Sequence, residues 1–414
     1  MLFFYRILIN LVLLLSPIII LFRIIKKKEH PTRFLEKLGI SSKNRMQGKV
    51  IWFHGSSVGE VLSIMPLIER LEKNSKIKQI VITSSTLSSS KVLEKYKLNK
   101  TIHQFFPIDA NLIIKKFLNY WKPTAVFFVE SEIWPNTIQN LHKRNIKIVL
   151  LNARITNKTF TKWFKFKSFS KDIFNKFDLC LCQNKETKLY LKKLGTKNIK
   201  NLGNLKFSES KKIKKINKIK NFKLLKNKNI LFGGISTHYD EEIFCGKVHL
   251  ELKNKYKKFI SIIIPRHVNR AESIKNDLEN LKLKVHLHSS KINIENDTDI
   301  YLVDTYGETK SFLNMCKVVY LGGSIIKRGG QNPLEAARSG CKVIHGSNVD
   351  NFKEIYALLN NIGVSSKING VKDAKIKIIK NLKTNVKQKK NIVKINQLGR
   401  KILNSINLEI RNLI

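Results

Sequence analysis

From Val50 onward, short apolar runs alternate with segments of helical periodicity, and most of the runs stop at Ser, Asn, Glu or Gly. Such runs are the mark of βαβ units, because a parallel strand buried on both faces needs a crossover helix to cover it. The first half offers the strands KVIWFH, QIVITSS, AVFFVES, IKIVLLNA and DLCLCQN, with a helix over Glu60 to Lys73. The second half offers NILFGGIST, FISIIIPRH, KVHLHSS, DIYLVDT, KVVYLGGS and KVIHGS. Between them, Ser208 to Lys228 is Lys-rich and weakly periodic, a solvated connector. The expected fold class is α/β, with two doubly wound domains whose ligands bind at the carboxyl ends of the strands and face a central cleft. The expected boundaries are 29–210 for the first domain, 211–228 for the connector and 229–395 for the second, with a C-terminal helix at 396–414 that can pack back on the first. At 414 residues the chain can bury a sizeable core without disulfide or metal staples.

Residues 1–28 stand apart. The run ILINLVLLLSPIIILF at 7–22, extended by Leu2 to Tyr5, approaches the roughly 20 apolar residues of a spanning helix, although Arg6, Asn10 and Pro17 weaken it. A cleaved signal is disfavoured because the basic cluster Lys26 to Lys28 follows the run and no A-x-A-like site does. The segment reads as an uncleaved membrane anchor, and the positive-inside rule places the body on the cytoplasmic side. A long buried helix of the first domain is the alternative.

Lys and Arg number 78 against 30 Asp and Glu, a formal net charge of +48, which raises the alternative of a nucleic-acid-binding membrane protein. That reading calls for one concentrated basic face with interleaved aromatics, whereas the Lys residues scatter over helices and linkers. Only 13 of the 78 are Arg, and the companion Asn and Ile suggest a coding bias behind much of the excess. An anionic membrane and anionic substrates are the partners that such a charge favours. Disorder is excluded by 43% hydrophobic residues. The five cysteines include no C-x-x-C pair, so buried, reduced thiols are expected, and Cys180-x-Cys182 is a weak metal candidate.

Chemistry concentrates at strand ends. In His54-Gly55-Ser56-Ser57-Val58-Gly59-Glu60, a strand passes through small residues into a helix and presents Glu60, a carboxylate suited to taking a proton from an attacking hydroxyl. Ser57-x-x-Glu60 is also a capping box, in which Glu60 satisfies a backbone N–H, and taken alone the motif favours the cap. Glu130-Ser131-Glu132 follows the next apolar run, and i, i+2 spacing on a strand points both carboxylates the same way. Asn152-Ala153-Arg154 and Gly203-Asn204-Leu205-Lys206 close two further strands, where ordinary turn chemistry would also place Asn and Gly.

In the second half, Gly233-Gly234-Ile235-Ser236-Thr237 leads toward a helix near Asp240 and can offer backbone N–H groups to a phosphate. Neither a P-loop nor G-x-G-x-x-G is present, so ATP and NAD find no support. Pro265-Arg266-His267 puts a guanidinium at a strand end. Asp304 to Glu308 and Gly322 to Ser324 end the next strands, and Gly329-Gly330-Gln331-Asn332-Pro333-Leu334-Glu335 opens a helix with Pro near its first turn. Glu335 suits a ribose, or simply the helix dipole. Asp297-Thr298-Asp299 matches the D-x-D of metal-dependent sugar transferases in form, but it precedes its strand.

Taken in order, RFLEKLG at 33–39, HGSSVGE, VESEIWPN, LNARI, GNLKF, GGIST, IIPRH, VDTYGET and GGSIIKRGGQNPLE resemble the 3-deoxy-D-manno-octulosonic acid (Kdo) transferases of lipopolysaccharide assembly, over nearly the whole chain. The resemblance implies a GT-B fold of two Rossmann-like domains, acceptor on the first and nucleotide sugar on the second. It implies inverting transfer of Kdo from CMP-Kdo to a lipid A precursor, lipid IVA, at the cell inner membrane. Glu60 becomes the proton acceptor, with an ordinary carboxylate pKa at a partly solvated helix start. Glu130 and Lys206 become transition-state supports. Pro265, Arg266, Tyr306, Gly307, Glu308, Asn332, Pro333, Leu334 and Glu335 become the CMP-binding set, and no metal or other cofactor is implied. Four positions depart from the family's usual pattern: Gly55 for Ala, Lys37 for Arg, Val303 for Gly, and Gln331 for a His, the last removing a group that can protonate. A GT-B transferase using a UDP-sugar is the rival within enzymes.

Overall fold

A computed structural model describes residues 1–208, 210, 225, 229–257, 259–383 and 388–414. Apart from Leu225, the connector expected at 211–228 lies outside the described residues. Two compact units result, Met1–Lys214 with Asn396–Ile414, and Lys215–Ile395.

In the first unit, β1 (Val50–His54), β2 (Gln79–Ser84), β3 (Thr101–Phe105), β4 (Ala125–Val129), β5 (Lys147–Ala153), β6 (Leu179–Cys182) and β7 (Ile199–Asn201) form a parallel sheet of order β3-β2-β1-β4-β5-β6-β7. Every residue of β1 is buried because helices cover both faces. On one face, Trp52 packs on Phe117 at 4.7 Å between ring centroids; on the other, Phe53 stacks on Phe127 at 4.6 Å. Helix α1 (Leu2–Ile25) is long and apolar enough to cross a membrane, and α2 (Val58–Leu71) follows β1.

The second unit repeats the plan. Strands β8 (Ile230–Thr237), β9 (Ile260–Pro265), β10 (Val285–Leu287), β11 (Ile300–Leu302), β12 (Val318–Leu321), β13 (Lys342–His345) and β14 (Ser365–Lys367) form a parallel sheet of order β10-β11-β9-β8-β12-β13-β14. Three strands were not anticipated from sequence: β3, β7 and β14. They carry polar residues, such as His103 and Gln104, Lys200 and Asn201, or Ser366 and Lys367, and are partly exposed, since each lies at a sheet edge with a strand on one side only among the described residues.

The last helix, Gln388–Leu413, lays Ile402, Ile406 and Ile410 into the first unit at helical spacing. Arg70 donates to Asn404 at 2.7 Å and Lys200 pairs with Glu409 at 2.7 Å. Gly399 sits where the helix meets the Leu205–Phe207 turn: a Cβ there would lie 1.8 Å from the Phe207 carbonyl oxygen, while the Gly399 carbonyl accepts from Ser208 Oγ at 2.8 Å. Gly399→Ala is expected to push this helix off the unit and cost about 1–3 kcal/mol, as overpacking does. Denaturant unfolding followed by Trp fluorescence reads it selectively, because Trp52, Trp121, Trp134 and Trp163 all belong to the first unit. An unshifted transition would contradict the close packing.

Candidate active site

The strand order of the first sheet reverses direction between β1 and β4, and in open α/β sheets ligands bind outside the strand ends at such a point. His54 is the last residue of β1 and is fully buried. Its ring stacks on Phe106 with centroids 3.8 Å apart, Nδ1 lies 3.0 Å from Thr83 Oγ1, and Nε2 lies 3.0 Å from Glu132 Oε2. Beyond it the chain turns through Gly55 and Ser56 into α2.

Glu60 sits in the first turn of α2. The capping reading is correct as far as it goes: the Glu60 N–H donates to Ser57 Oγ at 3.3 Å, and the Ser56 N–H donates to Glu60 Oε2 at 2.9 Å. Ser57 Oγ also donates to Glu60 Oε1 at 2.8 Å. The carboxyl group nonetheless departs from the ordinary pKa expected of it. Burial and the neighbouring Glu132 charge, with Glu130 adding, outweigh the Ser57 and Ser56 donors and raise its pKa to about 7. A carboxyl with that pKa is about half ionised at neutral pH, where a general base is most useful.

Glu130 and Glu132 do not point the same way, contrary to the i, i+2 expectation. β4 ends at Val129, and Glu130 adopts a left-handed backbone with φ of 58°, so strand alternation no longer applies. Glu130 turns to Lys206, whose Nζ lies 2.5 Å from Oε1. Glu132 turns back to β1 and accepts from Trp134 Nε1 at 2.8 Å as well as facing His54. Burial works to raise the Glu132 pKa, but the hydrogen bond and charge of His54 and the Trp134 donor prevail and hold it below the usual carboxylate range.

Lys206 is placed by a buried amide network that the sequence announces only in part. Asn152, left-handed at φ 53°, accepts the Leu205 N–H at 2.8 Å, and Asn204 accepts the Lys206 N–H at 2.9 Å. Gln183, just past β6, ties the two together, donating to the Asn152 carbonyl at 2.8 Å and accepting from Asn204 Nδ2 at 2.9 Å. Asn152 and Asn204 stood out as strand-end residues; Gln183 followed an apolar strand too, and that position was its only signal. Arg154 continues the same rim, its N–H donating to the Glu130 carbonyl at 3.2 Å.

In the second unit the order reverses between β8 and β12, and the sequence-selected segments line that rim. The Arg266 N–H donates to the Thr237 carbonyl at 2.9 Å, joining the ends of β9 and β8, and the Gly330 N–H donates to the Gly323 carbonyl at 2.7 Å, joining the Gly329–Glu335 segment to the end of β12. Only glycine fits at 322, where a Cβ would lie 2.2 Å from the Ser236 carbonyl oxygen. Arg266, Asn332 and Glu335 are exposed, as is Tyr306; Pro265, Pro333 and Leu334 are buried, and the Leu334 N–H donates to Asn332 Oδ1 at 3.1 Å. Gly307 is left-handed at φ 95°. Glu308 Oε2 accepts from Thr305 Oγ1 at 2.5 Å and lies 3.1 Å from His288 Nε2.

Glu241 is the residue that sequence reasoning missed. Fully buried at the start of Glu241–Lys253, it accepts from the N–H groups of Gly323 at 2.7 Å, Ser324 at 3.1 Å and Ile325 at 3.1 Å, from Tyr320 Oη at 2.5 Å and from the His238 N–H at 3.0 Å. It thereby fixes the loop after β12. Its signal in the sequence was no more than an acidic residue in a first helical turn.

The weak metal candidates are otherwise engaged. Asp299 accepts from Lys253 Nζ at 2.6 Å and the Lys284 N–H at 3.0 Å, and Asp297 pairs with Lys284 Nζ. Cys180 and Cys182 are buried in the first unit's core, where burial pushes the Cys180 thiol well up and that of Cys182 to about 12, and all five cysteines are free. Neither therefore offers a thiolate at neutral pH.

Residues 32–209 match the family described as 3-Deoxy-D-manno-octulosonic-acid transferase (kdotransferase). The 3-deoxy-D-manno-octulosonic acid transferase of Rickettsia prowazekii is 33% identical over 77% of this chain and 69% of its own length. That of Rickettsia bellii is 33% identical over 83% and 82%. The UDP-GlcNAc 2-epimerase of Neisseria meningitidis, solved bound to UDP-GlcNAc, shares the GT-B-like fold with a TM-score of 0.55 at 14% identity, over 86% of this chain and 99% of that one. Identity and coverage of this order, on a fold that carries the motifs at its strand ends, show that the chain belongs to the 3-deoxy-D-manno-octulosonic acid transferase family.

Proposed function

We propose that this Kdo transferase moves Kdo from CMP-Kdo to a sugar hydroxyl of a lipid A precursor, lipid IVA, with inversion, and that Glu60 is the base. The observation that carries the proposal is the placement of the Glu60 carboxyl in the first turn of α2, held by Ser57 and Ser56 and raised to about 7 by burial and by Glu132 and Glu130. In the proposed step the acceptor hydroxyl gives its proton to Glu60 while its oxygen bonds to the anomeric carbon of Kdo. The bond from that carbon to the phosphate oxygen breaks and CMP leaves with the electron pair. Lys206, held against Glu130, supplies positive charge for the Kdo carboxylate or the departing phosphate. The nucleotide is assigned to the second unit, where the exposed Arg266 guanidinium at the end of β9 can meet its phosphate. The work is assigned to the cytoplasmic face of the inner membrane, where the apolar α1 and the Lys26 to Lys28 cluster suit an anionic leaflet.

Glu60→Gln keeps a capping side chain and removes the base, so the folded variant is expected to lose about 10²–10⁴-fold in transfer rate. Mass spectrometry of lipid IVA incubated with CMP-Kdo checks this; transfer at the parent rate would sink the role. Competition with CMP against UDP separates the rival donor, and stronger inhibition by CMP is expected.

The activity profile follows from the sign of the Glu60 shift. Because the ionised form is the active one, kcat/KM should rise with pH through about 7 and then level off. Glu132→Gln removes a like charge that raises the Glu60 pKa, so the rising limb should move to lower pH. A limb unmoved by this substitution would contradict the coupling.

We also propose that transfer needs no divalent ion, since Asp297 and Asp299 are already committed to Lys284 and Lys253. Full activity is expected after exhaustive treatment with a chelator. Loss of transfer that a divalent cation restores would overturn this.

A further inference from the structure

Helix α1 has one face against its own unit along its entire length. Tyr5 Oη donates to Asp109 Oδ2 at 2.7 Å and Arg6 Nε donates to Asn136 Oδ1 at 3.0 Å near one end. At the other end Arg23 Nε donates to the buried Glu29 at 3.1 Å, and Lys37 pairs with the same carboxylate. Between these ties, Ile9 and Leu13 are half-buried and Ser16 and Ile20 are buried. At 3.6 residues per turn, Tyr5, Ile9, Leu13, Ser16, Ile20 and Arg23 fall within an arc of about 100°. The opposite face is bare: Phe4, Leu8, Leu11, Leu15, Ile18 and Ile25 are 63, 62, 52, 44, 70 and 70% exposed.

Tyr5 and Arg23 are separated by about 27 Å at 1.5 Å per residue, close to the roughly 30 Å of a bilayer's hydrocarbon. A spanning helix would put these two residues at opposite membrane surfaces. Asp109, which also caps the helix Pro135–Lys143 by accepting the N–H groups of Asn136 at 3.0 Å and Thr137 at 2.8 Å, would have to follow Tyr5 through the hydrocarbon or lose it. We infer that α1 lies flat in the membrane surface, its outer apolar face sunk in one leaflet and its inner face on the protein, and does not cross the bilayer. The occupant of the bare face is an anionic lipid leaflet. Lys26, Lys27 and Lys28 directly follow the helix, and Leu112, 73% exposed, adds an apolar side chain three residues past Asp109. The inference rests on the proposed lipid acceptor only in that a membrane is the surface at hand.

Site-directed spin labelling tests it. The native cysteines are buried, so single Phe4→Cys, Leu11→Cys, Ile18→Cys and Ile25→Cys variants of the full chain can be labelled and bound to phosphatidylethanolamine–phosphatidylglycerol vesicles (3:1) without substrate. Accessibility to oxygen against a water-soluble nickel chelate gives depth. All four labels are expected at one shallow depth, about 5–10 Å below the headgroups. A profile deepest at Leu11 and shallow at both ends would mean a spanning helix and overturn the inference. Labels shielded from both reagents with spin–spin broadening would mean a second copy on this face, and free access of nickel to all four would mean no membrane contact; either result overturns it too. Since depth is read without catalysis, a flat profile beside absent Kdo transfer would sink the proposed function and leave this inference standing.

Discussion

Like charges gathered in a half-buried rim stay ionised only where a cation or a strong donor answers them, and the first sheet gathers three carboxylates with unequal answers. Glu130 has the Lys206 ammonium and Glu132 has His54 and Trp134. Glu60 is held by the neutral Ser57 hydroxyl and the Ser56 N–H, and it bears the repulsion of the other two. Its raised pKa is therefore set by where its neighbours turn. The left-handed residue Glu130, which sends one carboxylate toward Lys206 and leaves the next to face β1, is the backbone detail on which this division depends. The Asn152–Gln183–Asn204 network matters for the same reason, because it fixes the chain that presents Lys206.

The second unit handles charge differently. One of its buried carboxylates, Glu241, serves three successive backbone N–H groups after β12 and a tyrosine, so that the loop Gly323–Ile325 keeps one shape. The close approach at Gly322 and the crossing bond from Gly330 to Gly323 complete a rim built chiefly from backbone. Its backbone donors are spent within the rim itself, so the exposed Arg266 guanidinium is the group there that can answer a phosphate.

Much of this could be read from residues alone, for identifiable reasons. Central strands such as Val50–His54 and Ala125–Val129 are buried on both faces, so their runs are continuously apolar and stand out. Thr101–Phe105, Ile199–Asn201 and Ser365–Lys367 lie at sheet edges and carry polar residues, so no run marks them. Strand ends located Glu60, Glu130 and Lys206, but spacing could not say which carboxylate meets which partner. The i, i+2 rule failed at Glu130 because the strand had already ended, and the expectation of an ordinary Glu60 pKa failed because a capping motif carries no information on neighbours 70 residues away. Composition was similarly blind at α1: an apolar run of spanning length hides a single stripe that Tyr5, Ser16 and Arg23 hold against the protein.

Of the three rim carboxylates, Glu60 is the one left to titrate near neutrality, and that can be observed at the atom. With glutamate labelled with ¹³C at the side-chain carboxyl, the Glu60 resonance is identified by its disappearance in Glu60→Gln and followed across pH. It is predicted to titrate at about 7. A midpoint in the ordinary glutamate range, about 4.3, would contradict a Glu60 base poised by its neighbours.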